Sequence, residues 1–155
     1  LRPIRPGDKG RLAAALGRLS DESARQRFLA PKARFTRHEL AYLTEIDGHD
    51  HLAVVATAGP GEAIVGVARC VRSAEDPLTA EFAVVVSDEV QGRGLGTALA
   101  REIAGAARAH GIIRFTATAL SDNAAVVRVV ETISEHLQRV PAGQGVVAFV
   151  ADLAA

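Results

Sequence analysis

Three glycines at alternate positions, Gly92, Gly94 and Gly96, are the clearest candidate for ligand binding in this sequence. They follow an apolar run that is typical of a strand and precede an Ala- and Leu-rich run that is typical of a helix. Glycine lets the backbone turn tightly and approach a ligand closely, and the first N–H groups of a helix have no partner within it. With the positive end of the helix dipole, these N–H groups form an anion site. We therefore expect the loop from Gln91 to Thr97 to hold a pyrophosphate.

Two common phosphate-binding motifs do not match this loop. The dinucleotide-binding fingerprint needs glycine at the sixth position counted from Gly92, and Thr97 stands there. The P-loop needs Lys followed by Ser or Thr, which this loop lacks. Arg93 adds a cation that favours an anionic ligand, but the spacing alone leaves a glycine-rich turn without a ligand as the alternative.

Glu81 is the candidate catalytic carboxylate. It belongs to the run 79–86, Thr-Ala-Glu-Phe-Ala-Val-Val-Val, which predicts a strand. Alternate residues of a strand face opposite sides, so Glu81 shares a face with Ala83 and Val85. A charged group among apolar neighbours is costly unless it has a partner or a task. A glutamate on the solvated side of a half-exposed sheet is the alternative.

The elements that position these residues are predicted from hydrophobic periodicity and turn residues. Helices are expected over 9–19, 21–29, 37–46 and 97–110, followed by one that Ser121-Asp122-Asn123 caps and that runs to about Ser134. Strands are expected over 2–5, 51–57, 63–71, 79–86, 112–119, 136–140 and 145–152. This order predicts an α/β (α+β) domain with a mixed, mostly antiparallel sheet of about six to seven strands and helices on both faces.

The composition indicates a single domain over residues 1–155. With 48% hydrophobic and 23% charged residues the chain is not a disordered tail, and no apolar stretch approaches the ~18 residues that a membrane span needs. A net charge of +0 argues against a nucleic-acid binder. Cys70 is the single cysteine, which excludes an intrachain disulfide, and no secretion signal opens the chain, so we expect a cytoplasmic protein. The opening Leu1 is consistent with a domain cut from a longer protein.

Positive charge is concentrated in residues 1–40, which hold ten Lys or Arg and four Asp or Glu. The rest of the chain balances this excess of six. Two interpretations remain open at this point. The arginines form the solvated faces of helices, or they form a docking face for an acidic partner or ligand.

The segment Gln91-Gly92-Arg93-Gly94-Leu95-Gly96 resembles the Gln/Arg-x-x-Gly-x-Gly/Ala signature of the GNAT acyltransferase superfamily. An apolar strand before it, a helix after it and a further strand that leads to Asn123 also fit. The resemblance covers nearly the whole chain and implies the GNAT fold. It also implies that acetyl-CoA is the cosubstrate and that its pyrophosphate is held by Gln91, Gly92, Arg93, Gly94, Leu95, Gly96 and Thr97.

Further site residues follow from the same resemblance. It implies that Glu81 is the general base, which deprotonates an amine that attacks acetyl-CoA directly. A backbone N–H, freed by a β-bulge, is expected to stabilise the thioester oxygen, and the pantetheine arm is expected to lie along the same stretch. The residues of that stretch are Val84, Val85 and Val86. Asn123 matches an asparagine that contacts the cofactor arm.

One position departs from the superfamily pattern. Val130 stands where many members have a tyrosine that protonates the leaving thiolate, and the only tyrosine, Tyr42, is far away in sequence. The general acid is therefore absent, replaced or unneeded, since a thiol pKa near ~8.5 lets water protonate the thiolate. A lone cysteine in a strand is typical of a buried core residue, so Cys70 is not expected to be a nucleophile.

The first half of the chain resembles bacterial Pat-type protein lysine acetyltransferases. The matching residues are Leu19-Ser20-Asp21-Glu22-Ser23, Arg27-Phe28, Asp50-His51 and 64–69. Such enzymes typically acetylate acyl-CoA synthetases and often carry an additional regulatory domain, so a protein lysine is the expected acceptor. A small-molecule amine acetyltransferase and a non-catalytic CoA-sensing module are the alternatives. An open groove by Glu81 favours the protein acceptor, and a closed pocket with acidic walls favours the small amine.

The segment His49-Asp50-His51 has metal-ligand residue types. Two histidines one residue apart on a strand point to opposite faces, so joint ligation is awkward. We therefore expect no metal site.

Overall fold

The computed structural model describes residues 1–28 and 34–154, and within them seven strands form one sheet. In chain order the strands are β1 (Arg2–Pro3), β2 (His51–Ala58), β3 (Ala63–Arg72), β4 (Thr79–Val86), β5 (Arg114–Leu120), β6 (Ser134–Pro141) and β7 (Val146–Leu153). Their order across the sheet is β1-β2-β3-β4-β5-β7-β6. Neighbours are antiparallel except β4 and β5, which are parallel. The predicted mixed, mostly antiparallel sheet is therefore confirmed.

Helices cover both faces of this sheet, as predicted. In the described ranges they are α1 (Lys9–Gly17), α2 (Asp21–Phe28), α3 (Arg37–Thr44), α4 (Leu95–Ala109) and α5 (Ala124–Ile133). The helices α1 and α3 pack on one face, and α4 and α5 pack on the other. The helix α2 contacts β4 and β5. Residue 29, the predicted end of the second helix, lies outside the described residues.

Each face of the sheet has its own core, because alternate strand residues point to opposite sides. On β2, Leu52 packs in the core with α4, and Ala53 packs in the core with α1. The helix α4 comes very close to β3 at Gly66, where an added Cβ would lie 2.7 Å from Leu99 Cδ1. Glycine at this position therefore sets how near α4, and the loop that precedes it, can lie to the sheet.

The helix α4 begins two residues earlier than predicted, at Leu95. Gly94 is its N-cap residue and has φ of +80°, so the glycine turn and the first helical turn overlap. At the other end the helix is followed by Gly111, whose φ of +83° is the left-handed conformation that commonly ends a helix. Among the described residues, every helix is too short or too polar to cross a bilayer.

Candidate active site

A cleft opens in the middle of the sheet because β4 and β5 pair over only part of their length. Their register runs from Thr79 opposite Arg114 to Glu81 opposite Thr116, and both strands then continue without pairing with each other. The cleft has a volume of ≈ 560 Å³ and is bordered by β4, β5, the glycine-rich loop, the start of α4, and residues of α2 and α5. Backbone groups that would bond a neighbouring strand are thus turned toward an open space.

The alternating hydrogen bonds between β3 and β4 show which backbone groups of β4 face the cleft. Ser87 N–H donates to Val65 O at 2.8 Å, so odd-numbered residues of β4 bond to β3. Because antiparallel strands alternate in this way, Val84 and Val86 direct their backbone N–H and C=O groups to the other side, which is the cleft. Val85 also lines the cleft, but its backbone bonds are turned to β3.

The prediction of a β-bulge at residues 84–86 of β4 is wrong. The register between β3 and β4 runs without a shift from Gly66 opposite Val86 to Arg72 opposite Ala80. The divergence of β4 from β5, rather than an extra residue in β4, exposes the backbone. Strand divergence is a property of the whole sheet and leaves no local mark in the sequence.

The glycine-rich loop brings further N–H groups to the cleft. Gly92 and Gly94 have φ of +79° and +80°, which other residues rarely adopt. Ala98 N–H donates to Gly94 O at 3.1 Å, so the N–H groups before Ala98 in the first turn have no helical acceptor. The predicted loop residues that line the cleft are Gln91, Gly92, Gly94, Leu95, Gly96 and Thr97. Arg93 is exposed and is not among the residues that line it.

Gln91 and Asp88 tie this loop to α2. Nε2 of Gln91 donates to Val86 O at 2.9 Å and to Ser23 Oγ at 3.2 Å. Asp88 accepts a hydrogen bond of 2.7 Å from Ser20 N–H and another from the Ser23 hydroxyl. Burial acts to raise the pKa of Asp88, but these hydrogen bonds hold it below its ordinary value. Sequence reasoning missed this network, because no local pattern links Asp88 with Ser20, 68 residues away.

Asn123 begins α5 and lines the cleft. Its Oδ1 accepts a hydrogen bond of 3.3 Å from Val126 N–H, which confirms the predicted cap and leaves the amide N–H groups for other partners. Arg128 of the same helix also lines the cleft. Val130, by contrast, is 2% exposed and packs in the α4 core. The position where many superfamily members have tyrosine therefore points away from the cleft.

Glu81 stands at the last paired position of β4, directly before the residues of this strand that line the cleft, and it is exposed. It is not itself among the lining residues. By strand alternation it shares a face with Val85, which packs in the core under α1. Arg27 of α2 lines the cleft, and its guanidinium interacts electrostatically with the Glu81 carboxylate. Burial lowers the pKa of Arg27, and Glu81 acts in the opposite direction. Sequence reasoning assigned no site role to Arg27.

Arg69 of β3 lies on the same face, opposite Ala83 in the register, and is only 6% exposed. Its Nη1 donates to Leu43 O at 3.0 Å and lies 2.9 Å from His51 Nε2. Burial, followed by the charge of Arg27, lowers the pKa of Arg69 to about 10. Burial and then Arg69 lower the pKa of His51 to about 4, so His51 is neutral and its Nε2 accepts the hydrogen bond.

Two residues with reactive side chains lie away from the cleft. Tyr42 is 56% exposed on α3 and packs against His51, with 5.0 Å between ring centroids. Cys70 is completely buried in the core with α4, and burial raises the pKa of its thiol to about 12. This agrees with the prediction that Cys70 is not a nucleophile, because the thiolate is the reactive form.

The two histidines of the 49–51 segment are separated, as predicted. His49 is exposed beside Asp47 and Asp50, and the possible ligand atoms of these three residues lie within 4.8 Å of one another. His51 is buried against Arg69. The Asp47 carboxylate already accepts backbone N–H groups of residues 49–51, which hold its pKa at about 2. Such exposed clusters are common without a metal ion.

Residues 18–132 match the family model described as the acetyltransferase (GNAT) family. The matched span includes β4, β5, the glycine-rich loop, α4 and most of α5. The chain therefore belongs to the GNAT family of acetyltransferases.

Three proteins show the extent of the likeness. Over 133 residues the chain is 35% identical to Acetyltransferase Pat of Mycolicibacterium smegmatis, which covers 86% of this chain and 40% of that protein. The crystal structure of the GNAT domain of S. lividans PAT has a TM-score of 0.87 at 32% identity, covering 98% of this chain and 89% of that chain. A phosphinothricin acetyltransferase from Sinorhizobium meliloti, solved in complex with acetyl-CoA, shows the same fold with a TM-score of 0.74 at 18% identity, covering 98% and 86%. The predicted GNAT fold and the resemblance to Pat-type acetyltransferases are confirmed, and the chain spans about 40% of the length of its M. smegmatis relative.

Proposed function

We propose that this protein transfers the acetyl group of acetyl-CoA to a lysine ε-amine of a protein, with Glu81 as the general base. The observation that carries this proposal is the place of Glu81 where β4 and β5 part, next to backbone groups that face the cleft. A lysine amine has an ordinary pKa near ~10.4, so at neutral pH it is mostly protonated and cannot attack a thioester. A carboxylate at this point can accept that proton directly or through one water.

The groups that line the cleft suit acetyl-CoA. The N–H groups at the start of α4 suit its pyrophosphate, and the backbone of Val84 and Val86 suits its pantetheine arm in the manner of an added strand. An N–H of the same stretch can stabilise negative charge on the thioester oxygen. Asn123 offers amide donors from the α5 side. The buried thiol of Cys70 supports direct attack by the amine, without an acyl-enzyme.

Two features support a protein lysine rather than a small amine as acceptor. The Glu81 side chain is exposed, so an acceptor reaches it across an open surface. The charged groups near it, Arg27 and Arg69, are basic, whereas a pocket for a small polyamine needs acidic walls. From the likeness to Acetyltransferase Pat, we propose an acyl-CoA synthetase as acceptor, a cytoplasmic location and, because that relative is longer, a regulatory domain elsewhere in the full-length protein.

Release of free thiol from acetyl-CoA tests the proposal, with purified acyl-CoA synthetases, a panel of small amines and no acceptor as three separate arms. We expect release that depends on a synthetase, together with a single acetyllysine in that synthetase by mass spectrometry. Release of thiol with small amines alone would indicate that the acceptor is a small-molecule amine and not a protein. Binding of CoA without release in any arm would favour the CoA-sensing module, which is the alternative that Val130 in place of a tyrosine supports.

A further inference from the structure

Asp88 lies between the start of α2 and the glycine-rich loop, and its carboxylate accepts hydrogen bonds from both. From the α2 side, Ser20 donates its backbone N–H at 2.7 Å and its hydroxyl at 3.3 Å, and Ser23 donates its hydroxyl. From the loop side, Nε2 of Gln91 donates at 3.3 Å. Four donor groups therefore converge on one side chain, and none of them carries a charge.

The charge of Asp88 suits this position. Both oxygens of an ionised carboxylate accept hydrogen bonds, whereas an asparagine would turn an N–H₂ group toward donors that already point there. Ser20 caps α2, since its hydroxyl oxygen accepts a hydrogen bond of 3.1 Å from Ser23 N–H. The carboxylate therefore stands at the positive end of the helix dipole, which favours a negative charge.

Ser23 connects Asp88 to the glycine-rich loop. Ser23 is 7% exposed, and its hydroxyl donates to Asp88. Because the hydroxyl proton is directed at Asp88, the Ser23 oxygen is left as an acceptor, and Nε2 of Gln91 donates to it at 3.2 Å. The same amide donates to Val86 O at 2.9 Å. This chain of hydrogen bonds fixes Gln91, the first residue of the loop, against α2 and β4.

The glycines of the loop give it little support of their own. Gly92 and Gly94 have φ of +79° and +80°, and fixing a glycine costs more conformational entropy than fixing any other residue. A Cβ added to either glycine would have no atom within 4 Å, so the space beside them is open. A loop that is already fixed binds its ligand at a smaller entropic cost, so hydrogen bonds from outside the loop strengthen binding.

We propose that Asp88 is a positioning residue for acetyl-CoA, which fastens the glycine-rich loop to α2 so that binding at the loop also stabilises α2. The inference rests on the proposed binding of acetyl-CoA in the cleft and holds for any acceptor amine. Asp88 is not among the residues that line the cleft, whereas Ser23 and Gln91 are, so Asp88 acts through these two side chains.

The affinity and turnover of Asp88→Asn test the positioning role. We expect the Kd and KM for acetyl-CoA to rise about tenfold, the usual effect of losing a hydrogen bond to a charged group, while kcat at saturating acetyl-CoA changes little. Glu89→Gln is the matched control, because Glu89 is exposed in the same turn, and it should leave these constants unchanged. An unchanged Kd in Asp88→Asn would overturn the inference.

A double variant tests whether Asp88 acts through Ser23. Ser23→Ala interrupts the same chain of hydrogen bonds and should also raise the Kd for acetyl-CoA. If the two residues act as one unit, the double variant should have the Kd of the weaker-binding single variant. A Kd that shows the full product of the two single effects would overturn this chain of action. Ser23→Ala also keeps the test valid if Asp88→Asn does not fold, because alanine is favourable within a helix.

Hydrogen exchange with CoA as the probe separates positioning from a general loss of structure. In wild type, saturating CoA should slow amide exchange both in residues 91–98 and in residues 21–28. In Asp88→Asn and in Ser23→Ala, saturating CoA should still slow residues 91–98 but leave residues 21–28 unchanged. Slowing confined to residues 91–98 in wild type, or equal slowing of α2 in wild type and the variants, would overturn the inference and leave acetyl-CoA binding intact. Failure of wild type to bind CoA would overturn both the inference and the proposed function.

Discussion

The two sides of β4 are built from different chemical groups. Toward β5 and α4, the cleft is lined by backbone groups, namely those of Val84 and Val86 and the N–H groups at the start of α4. Toward α1 and α2, the same strand presents Glu81 among the charged side chains of Arg27 and Arg69. We call these the donor side and the acceptor side. The donor side is suited to binding through main-chain dipoles, and the acceptor side is suited to moving protons and recognising charge.

This difference indicates how each side responds to substitution. Main-chain N–H groups do not titrate, and their positions depend on glycine dihedral angles and on where a helix begins. Ionisable side chains change function when a single atom is replaced, and they depend on charged neighbours from distant parts of the chain. If the two sides act independently, substitutions should separate acetyl-CoA affinity from turnover.

Substitution of Glu81 is expected to separate turnover from acetyl-CoA affinity most strongly. Glu81→Gln keeps the size and polarity of the side chain but cannot accept a proton from the acceptor amine. We expect kcat for acceptor-dependent thiol release to fall about 10²–10⁴-fold, the usual contribution of general base catalysis. The Kd for acetyl-CoA should stay unchanged, since the donor side does not use this carboxylate. Steady-state kinetics and calorimetric titration with acetyl-CoA measure the two effects.

A nearby carboxylate provides the control for this experiment. Glu89 is exposed in the short turn that precedes the glycine-rich loop, so Glu89→Gln should change neither kcat nor affinity appreciably. If Glu81→Gln lost acetyl-CoA affinity and turnover to the same extent, the donor side and the acceptor side would not act independently. Unchanged turnover would assign the base to another group.

The donor side could be predicted from sequence because its determinants are local. Glycines at positions 92, 94 and 96 between a strand and a helix specify a tight turn and a helix start within seven residues. Asn123 likewise caps α5 through a bond to Val126, only three residues away. Both features depend on backbone conformation, which short segments determine strongly.

The acceptor side could be predicted only in part. Strand alternation places Glu81 on its face, but the interaction of Arg27 with Glu81 and Arg69 depends on how α2 packs against β4 and β5. The link from Asp88 to Ser20 depends on the same packing. The expected β-bulge was wrong for a related reason, since strand divergence is set by the whole sheet. Such long-range contacts leave no spacing pattern in a single sequence.

A second prediction concerns the ion pairs that hold the acceptor-side elements in place. Asp8, at the start of α1, has a 1% exposed side chain and accepts two hydrogen bonds of 2.8 Å from Arg2. The bond from Arg2 outweighs burial and lowers the pKa of Asp8 from 3.8 to about 2. This shift corresponds to about 2 kcal/mol of stability near neutral pH. Asp8→Asn should therefore lower the free energy of unfolding by about 2 kcal/mol.

The depressed pKa of Asp8 determines how its contribution to the free energy of unfolding changes with pH. Because the pKa of Asp8 is depressed in the folded state, its stabilisation is complete above 3.8 and is lost as the pH falls through about 2. In urea unfolding, wild type and Asp8→Asn should differ most near neutral pH and converge in strong acid. Leu99→Ala on the donor-side core serves as the comparison, since its cost should not depend on pH. If the free energies of unfolding of wild type and Asp8→Asn differed by the same amount at every pH, packing rather than charge would account for the stabilisation by Asp8.

The smallest expected effect is at Gly94, on the donor side. Alanine at φ of +80° costs roughly 1–2 kcal/mol, so Gly94→Ala should disturb the start of α4 and raise the Kd for acetyl-CoA about tenfold. At saturating acetyl-CoA, kcat should stay near wild type, because Glu81 is untouched. Gly105→Ala is the matched control: Gly105 is exposed within α4 with open space around it, and alanine there should stabilise the helix and leave the Kd unchanged. If Gly94→Ala lowered kcat and left the Kd unchanged, the glycine-rich loop would serve the acceptor, and the division between the two sides of β4 would be wrong.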